Sequence, residues 1–534
     1  MRNGPSPIGR VHQTLLAIAL LLGLAATATF LGNEPRVGLL IRNTLTLGLG
    51  ATAISLAVGV LLAVALSRTD VALRVPLGCL VAAMLFMPLY LQAAGWDAGF
   101  GRQGWLSFAR DSLAQPLLGG WRAAVWIHGM AAVAWVMLLV GVGLRYVEPE
   151  LEEAALLETS TSGVFWRVTL RRVLPAIAVA ALWVSLTVAA EMTVTDLYQV
   201  RTFAEEIYLT IPLGEPLLSS GLGVVAGIAL LGALTLSALV AISYLMPTGD
   251  FQTVRHRSTF RLGRWRSGVL AGLTMIVLIV VAVPLINLVI NAGLQVERQG
   301  NSWVRYWSFP KFLQIVASSP YRFREELGWT LVVAATAASV AIALAVPLAW
   351  LARRATIWSG VALLSSAACL ATPGPLVGLA IIWLLNRDGS ELLVFLYDRT
   401  ITAPVMALVV RAFPLALLVS WYALRSISTD VLEVAQTEGI GALARFGHIA
   451  IAQRLAALTV AWLVAFAVAA GDLTATILVT PPGIATVPIR VFGLLHAGVD
   501  DQVAGLCLTT VAATSVLASA TLVLVRRRTM ISGR

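Results

Sequence analysis

The chain has 534 residues, of which 59% are hydrophobic and only 12% charged, and its net charge is +10. A soluble protein carries about twice that share of charge, and the mean hydropathy of +0.87 excludes a chain built mainly of water-soluble domains. The basic excess sits in short clusters between apolar runs, so it is explained by a positive-inside bias and not by nucleic-acid binding. The apolar runs are about 20 residues long, enough to cross roughly 30 Å of hydrocarbon as helices. The expected fold class is therefore an all-α polytopic membrane protein.

In chain order the runs predict about twelve spans. Six lie near 14–31, 44–66, 76–96, 123–144, 175–197 and 221–246. Six more lie near 267–293, 328–352, 358–385, 402–423, 455–479 and 502–525. Arg2 and Arg10 precede the first run, and small residues end it at Ala25-Ala26-Thr27-Ala28, as in a signal peptide. Its length favours an uncleaved anchor. Arginine clusters at Arg68/Arg74, Arg167/Arg171/Arg172, Arg255 to Arg266, Arg353/Arg354, Arg425/Arg445/Arg454 and Arg526-Arg527-Arg528 then place both termini in the cytoplasm.

Two halves share one plan. Asn43-Thr44-Leu45 and Trp329-Thr330-Leu331 open corresponding spans that end before Ser67-Arg68 and Arg353-Arg354. Pro88-Leu89 followed by Trp96 pairs with Pro375-Leu376 followed by Trp383. Glu191-Met-Thr-Val-Thr195 pairs with Asp472-Leu-Thr-Ala-Thr476, and Thr202 with Thr486. The expected organisation is a first repeat (1–246), a basic, turn-rich linker (247–266) and a second repeat (267–534), running parallel with six spans each.

Each half has one long inner loop that reads as a short amphipathic helix and a break. In the second, Asp430 is placed to cap the helix with Glu433 three residues on, and Gly439 suits the left-handed residue that ends it. In the first, Pro149 suits the first helical position. Such helices are too polar to span and too short to stand alone in water.

These loops resemble the EAA loop of permease subunits of bacterial binding-protein-dependent ABC importers: Glu-Ala-Ala, three residues, Gly, then about nine residues to Ile-x-Leu-Pro. Glu433, Ala435 and Gly439 match, and Ile449-Ala-Ile451 matches the end, while Val434 and Ala452 depart from it. Glu153-Ala154-Ala155 is a literal match, but Thr159 stands in the glycine's place and Leu174-Pro175 comes late. The fused twelve-span form is most similar to iron(III)-type permeases. The resemblance implies a bacterial inner-membrane protein with three partners: an ATP-binding cassette ATPase dimer at the cytoplasmic face, an extracytoplasmic solute-binding protein, and the lipid bilayer. It implies that Glu153, Ala154, Ala155, Glu433, Ala435 and Gly439 dock the ATPase. Iron(III) is the implied cargo, with thiamine or another small solute as alternatives.

The single lysine, Lys311, follows Phe309-Pro310, so no P-loop is present and the chain is expected to have no catalytic site of its own. Neither the five histidines nor Cys79, Cys369 and Cys507 have metal-site spacing, and no cofactor is implied. Glu191, Asp196 and Asp472 lie within or near spans, where a carboxylate is costly. Either they line a translocation path, or they lie near the outer interface or bond neighbouring Thr193, Thr195, Thr474 and Thr476 to stabilise the bundle. The same carboxylates would serve a proton- or sodium-coupled secondary transporter, the alternative class.

Overall fold

The computed structural model describes residues 35–102, 104–106, 116–210, 232, 235–236, 260–299, 302–354, 357–387 and 389–531. The described residues are mostly helical, as in a polytopic membrane protein. Seven described helices are long and apolar enough to cross a bilayer: Gly38–Arg68, Gly120–Arg145, Thr161–Ala189, Gly263–Gly293, Arg324–Ala352, Thr402–Arg425 and Ala442–Gly471. The expected spans 14–31 and 221–246 fall outside the described residues apart from 232, 235 and 236, as does most of the linker. The last expected span, 502–525, falls within helix Asp500–Ile531.

Two expectations of continuous spans are corrected. The run 76–96 is two helices, Arg74–Phe86 and Leu89–Phe100, meeting at 106°, and the run 358–385 is Ile357–Ala371 and Gly374–Leu385, meeting at 101°. Proline causes both bends. It has no N–H to continue the ladder, and it drives the residue before it out of the helical region. Met87 is accordingly extended (φ −92, ψ 109). Pro88 and Pro373 (ψ 151 and 146) then stand just before the new helices. Their carbonyls restart the ladder in the same way, Pro88 accepting from Leu91 and Gln92, Pro373 from Leu376 and Val377. The local match to Pro88 is thus Pro373, not Pro375. Counting each bent pair as one span gives up to nine among the described residues.

Two runs also stop early. The helix expected over 175–197 ends at Ala189, and a separate short helix spans Thr193–Leu197. The helix expected over 455–479 ends at Gly471. The all-α expectation needs one amendment: the loop after Gly293 opens with an antiparallel hairpin, β1 (Leu294–Gln299) and β2 (Ser302–Trp307), in register Leu294 with Trp307. Helix Phe309–Arg322 follows it.

Packing crosses the boundary between the two expected halves. One apolar core joins Leu47, Val133 and Val184 to Leu273, Val277, Leu288, Val491 and Val503. A second core holds Val333, Leu408, Leu417 and Leu458, with Leu236 packed into it. The end of the linker is stitched to the first span: Phe260 donates to the Arg68 carbonyl at 2.8 Å, and Leu262 N to Asp70 Oδ1 at 3.0 Å.

Candidate functional site

The two helix breaks after Ala189 and Gly471 expose backbone N–H groups, and an acidic residue stands at each break to accept them. Glu191 accepts from Thr193 N at 2.6 Å and Val194 N at 3.1 Å. Asp472 accepts from Ala475 N at 2.9 Å, with Thr474 Oγ1 3.4 Å from both carboxylate oxygens. These are side-chain caps of the kind that satisfies the free donors of a helical turn.

Each carboxylate also meets a cationic or ionisable partner from the preceding span. His128 Nε2 lies 3.1 Å from Glu191 Oε2, and Arg411 Nε lies 3.0 Å from Asp472 Oδ2. His128 Nδ1 sits 2.8 Å from the Ala124 carbonyl, which can only accept, so Nδ1 carries a hydrogen. A hydrogen bond between Nε2 and Glu191 then requires one proton between them, as imidazolium with carboxylate or as imidazole with carboxylic acid. Both arrangements are electrically neutral. So is the guanidinium–carboxylate pair of Arg411 and Asp472.

The two pairs share one cavity of about 260 Å³, whose walls include His128, Glu191, Arg411 and Asp472. The bend at Pro88 lines it. Gly471 lies against Pro88, and Gly374 lies so close to Thr474 that a Cβ there would collide with it. Trp135 and Trp183 form one apolar side, with ring centroids 5.3 Å apart. The site is neutral, part aromatic, and built from two widely separated stretches of chain.

Asp196 stands apart. It pairs with His496 Nε2 at 3.2 Å and is not in the wall of this cavity. Of the three carboxylates singled out in the sequence, the structure brings Glu191 and Asp472 together and leaves Asp196 elsewhere. That pair lines a cavity and also bonds neighbouring threonines or their N–H groups. Sequence reasoning missed their partners His128 and Arg411, although an arginine in the middle of the 402–423 run was itself a signal. It also missed Glu206, buried and paired with Arg36 and Arg201.

The two loops fold as short helices, Pro149–Leu156 and Thr429–Thr437. Pro149 holds the first helical position, as expected. Ser428, not Asp430, is the N-cap of the second, and its side chain makes no capping bond; Asp430 lies in the first turn, where a carboxylate suits the helix dipole. Gly439 is left-handed (φ 77), with Ile440 N bonded to Ala435 O at 3.0 Å and Gly439 N to Gln436 O at 3.1 Å. That is the Schellman ending its glycine predicts. Thr159 has no left-handed conformation; its N–H bonds the Ala155 carbonyl and the chain restarts at Ser160 as the cap of a new helix.

Glu153, Ala154, Glu433 and Gly439 are exposed, Ala155 is half-buried and Ala435 buried. The buried anchor of the first loop is Glu152, one residue before the matched motif. Its Oε1 accepts from Arg68 Nη2 at 2.7 Å and Thr169 Oγ1 at 2.6 Å. Both loops lead into a π-helical segment, Phe165–Thr169 and Arg445–Ile451. Each also carries a large apolar side chain in the open, Leu157 at 89% and Leu443 at 87% exposure. No protein-family profile matches the chain, and no curated protein is similar to it.

Proposed function

We propose that the chain is the membrane-spanning permease subunit of an ATP-driven, binding-protein-dependent importer, a fused protein of two parallel six-helix repeats. The observation that carries this reading is the pairing of the two loops. Each is a short helix with an exposed glutamate, followed by a break and a π-helical turn, and each presents a leucine left bare among the described residues. π-Turns recur at functional sites. A two-fold ATPase with two clefts is a partner of fitting geometry. The repeat reading is supported further by the paired bends at Pro88 and Pro373 and by the paired carboxylate caps Glu191 and Asp472.

In this reading Glu153 to Ala155 and Glu433 to Gly439 receive the ATPase, and closure of the ATPase dimer rocks the cavity between its two openings. The chain supplies the path and no nucleotide site. It lies in a bacterial inner membrane with both termini cytoplasmic, and an external binding protein delivers the solute. Iron(III) is the proposed cargo. Free carboxylates would trap a trivalent cation, and a conduction site must hold its ion weakly enough to release it. Glu191 and Asp472, each already neutralised, meet that requirement.

Co-purification tests the reading. The chain expressed with its ATPase should carry that subunit through purification, and Glu433→Ala with Gly439→Ala should release it. Retention of the ATPase by the double variant would remove these loops as the docking site. A second reading, an ion-coupled secondary transporter, is favoured by the 3.1 Å His128–Glu191 contact, which pairs two ionisable groups in the cavity wall. Uptake that survives ATPase deletion but collapses with a protonophore would select it.

A further inference from the structure

The crossover between spans Gly263–Gly293 and Arg324–Ala352 contains helix Phe309–Arg322, and its side chains divide into three sectors. Phe312, Ile315 and Ser319 turn inward. They face helix Asp500–Ile531, where a Cβ on Gly505 would collide with Ile315 and Ser319. Lys311 Nζ locks the rotation by reaching Asp501 Oδ2 at 3.2 Å and the Leu294 carbonyl at 2.7 Å. The second sector is exposed and apolar: Phe309, Leu313, Ala317 and Pro320, at i, i+4, i+8 and i+11, share one stripe, with Tyr321 beside it. Phe309, Leu313 and Tyr321 are 56%, 49% and 74% exposed. The third sector, Gln314, Ser318 and Arg322, is exposed and polar.

A helix that displays an apolar stripe and a polar stripe side by side, both uncovered, fits a boundary between oil and water and neither phase alone. The chain fixes where that boundary is. Only Phe323 separates the helix from span Arg324–Ala352, and the hairpin returns its other end to the span that closes at Gly293, Leu294 pairing with Trp307. The helix is therefore tethered where both spans leave the hydrocarbon. Arg324 stacks on Tyr321, its guanidinium carbon 4.9 Å from the ring centre. An amphipathic ring beside a cation is the pairing that membrane interfaces select.

We propose that helix Phe309–Arg322 lies in the plane of the membrane interface. Its Phe309/Leu313/Ala317/Pro320 stripe sinks to the acyl boundary of a phospholipid bilayer, and Tyr321, Arg322 and Arg324 sit among the phosphates. Because the inward sector is keyed to Asp500–Ile531, this helix sets the depth of the C-terminal helix as well. The placement depends on the chain spanning a bilayer and not on what it carries.

Spin labels on one helix test it. Leu313→Cys and Ser318→Cys, each labelled with a nitroxide in phosphatidylcholine nanodiscs, are compared with the unsubstituted protein, whose own cysteines give the background. The ratio of oxygen to nickel-chelate accessibility should be severalfold higher at 313 than at 318, as expected for acyl chain against water. Equal ratios with strong nickel access at both positions would put the stripe in water and overturn the placement. A label at 313 that is immobile and shielded from both reagents would overturn it too, because protein would then cover the stripe. Both sites are exposed, so neither variant tests the fold.

Discussion

Arg68 and Glu152 form the most deeply buried ion pair among the described residues, with 1% and 0% of their side chains exposed. The pair ties the C-terminal end of the first described span to the helix Pro149–Leu156, and Thr169 extends the tie to the π-helical segment. In the second loop the residue before the matched glutamate is Leu432, also buried, and the helix is held by apolar contact. The two loops share an outline and differ in what anchors them.

Removing one member of such a pair leaves a buried charge without its counter-ion, a loss of about 3–5 kcal/mol in comparable cases. Glu152→Ala should therefore lower the Tm of the purified protein sharply. Arg68→Met with Glu152→Leu, which replaces the ion pair by apolar contact of the kind Leu432 makes, should recover most of the loss. Thermal unfolding of the three proteins checks this. A Glu152→Ala protein as stable as the parent would show the pair to be idle.

Gly439 allows a sharp test of local chemistry. An L-residue at φ 77 is strained by about 1 kcal/mol. In Gly439→Ala that strain should fall on the last turn of Thr429–Thr437. Amide exchange there should quicken roughly fivefold, with Pro149–Leu156 unchanged. Hydrogen exchange read by mass spectrometry resolves the two segments. Equal exchange in variant and parent would mean the Schellman ending does not hold the helix.

What the sequence disclosed follows from the range of the interactions. Pro149 and Gly439 were legible because a helix end is decided within four or five residues. The bends at Pro88 and Pro373 were not, because a hydropathy window averages across a turn that leaves apolar content unchanged. The Asp430 cap was misplaced by two residues because Ser428, Thr429 and Asp430 are all good cap residues and composition does not choose among them. His128 and Arg411 were hidden by distance, 63 and 61 residues from the carboxylates they meet. Glu152 was hidden by its neighbour, since nothing local distinguishes the buried glutamate from the exposed Glu153.

The neutral cavity leads to a prediction about transport. Asp472→Asn leaves the Arg411 guanidinium facing the cavity without its counter-charge, so the wall becomes positive. Repulsion that adds even about 1.4 kcal/mol to the barrier for a cation slows it tenfold. On the proposed reading, iron(III) uptake by cells carrying Asp472→Asn should drop by that order, and Arg411→Gln with Asp472→Asn should restore much of it, because neutrality returns. Uptake at the parental rate in the single variant would take Asp472 out of the path.

Asp500 supplies a pH dependence. It opens helix Asp500–Ile531, and its carboxyl is pushed up from 3.8 to about 6, chiefly by burial, then by the nearby Asp97 and Asp501 carboxylates, against the pull of Arg305. An acid with a raised folded pKa binds its proton more tightly in the folded state than in the unfolded one. Its contribution therefore becomes more favourable as pH falls through about 6 and levels off below 3.8. Above about 6 the buried charge opposes folding in full. Asp500→Asn removes the titration, so the variant should be more stable than the parent at about pH 7.5 and lose that advantage by about pH 4. Paired Tm measurements at the two pH values decide it, and a constant difference between variant and parent would assign the effect to packing and not to charge.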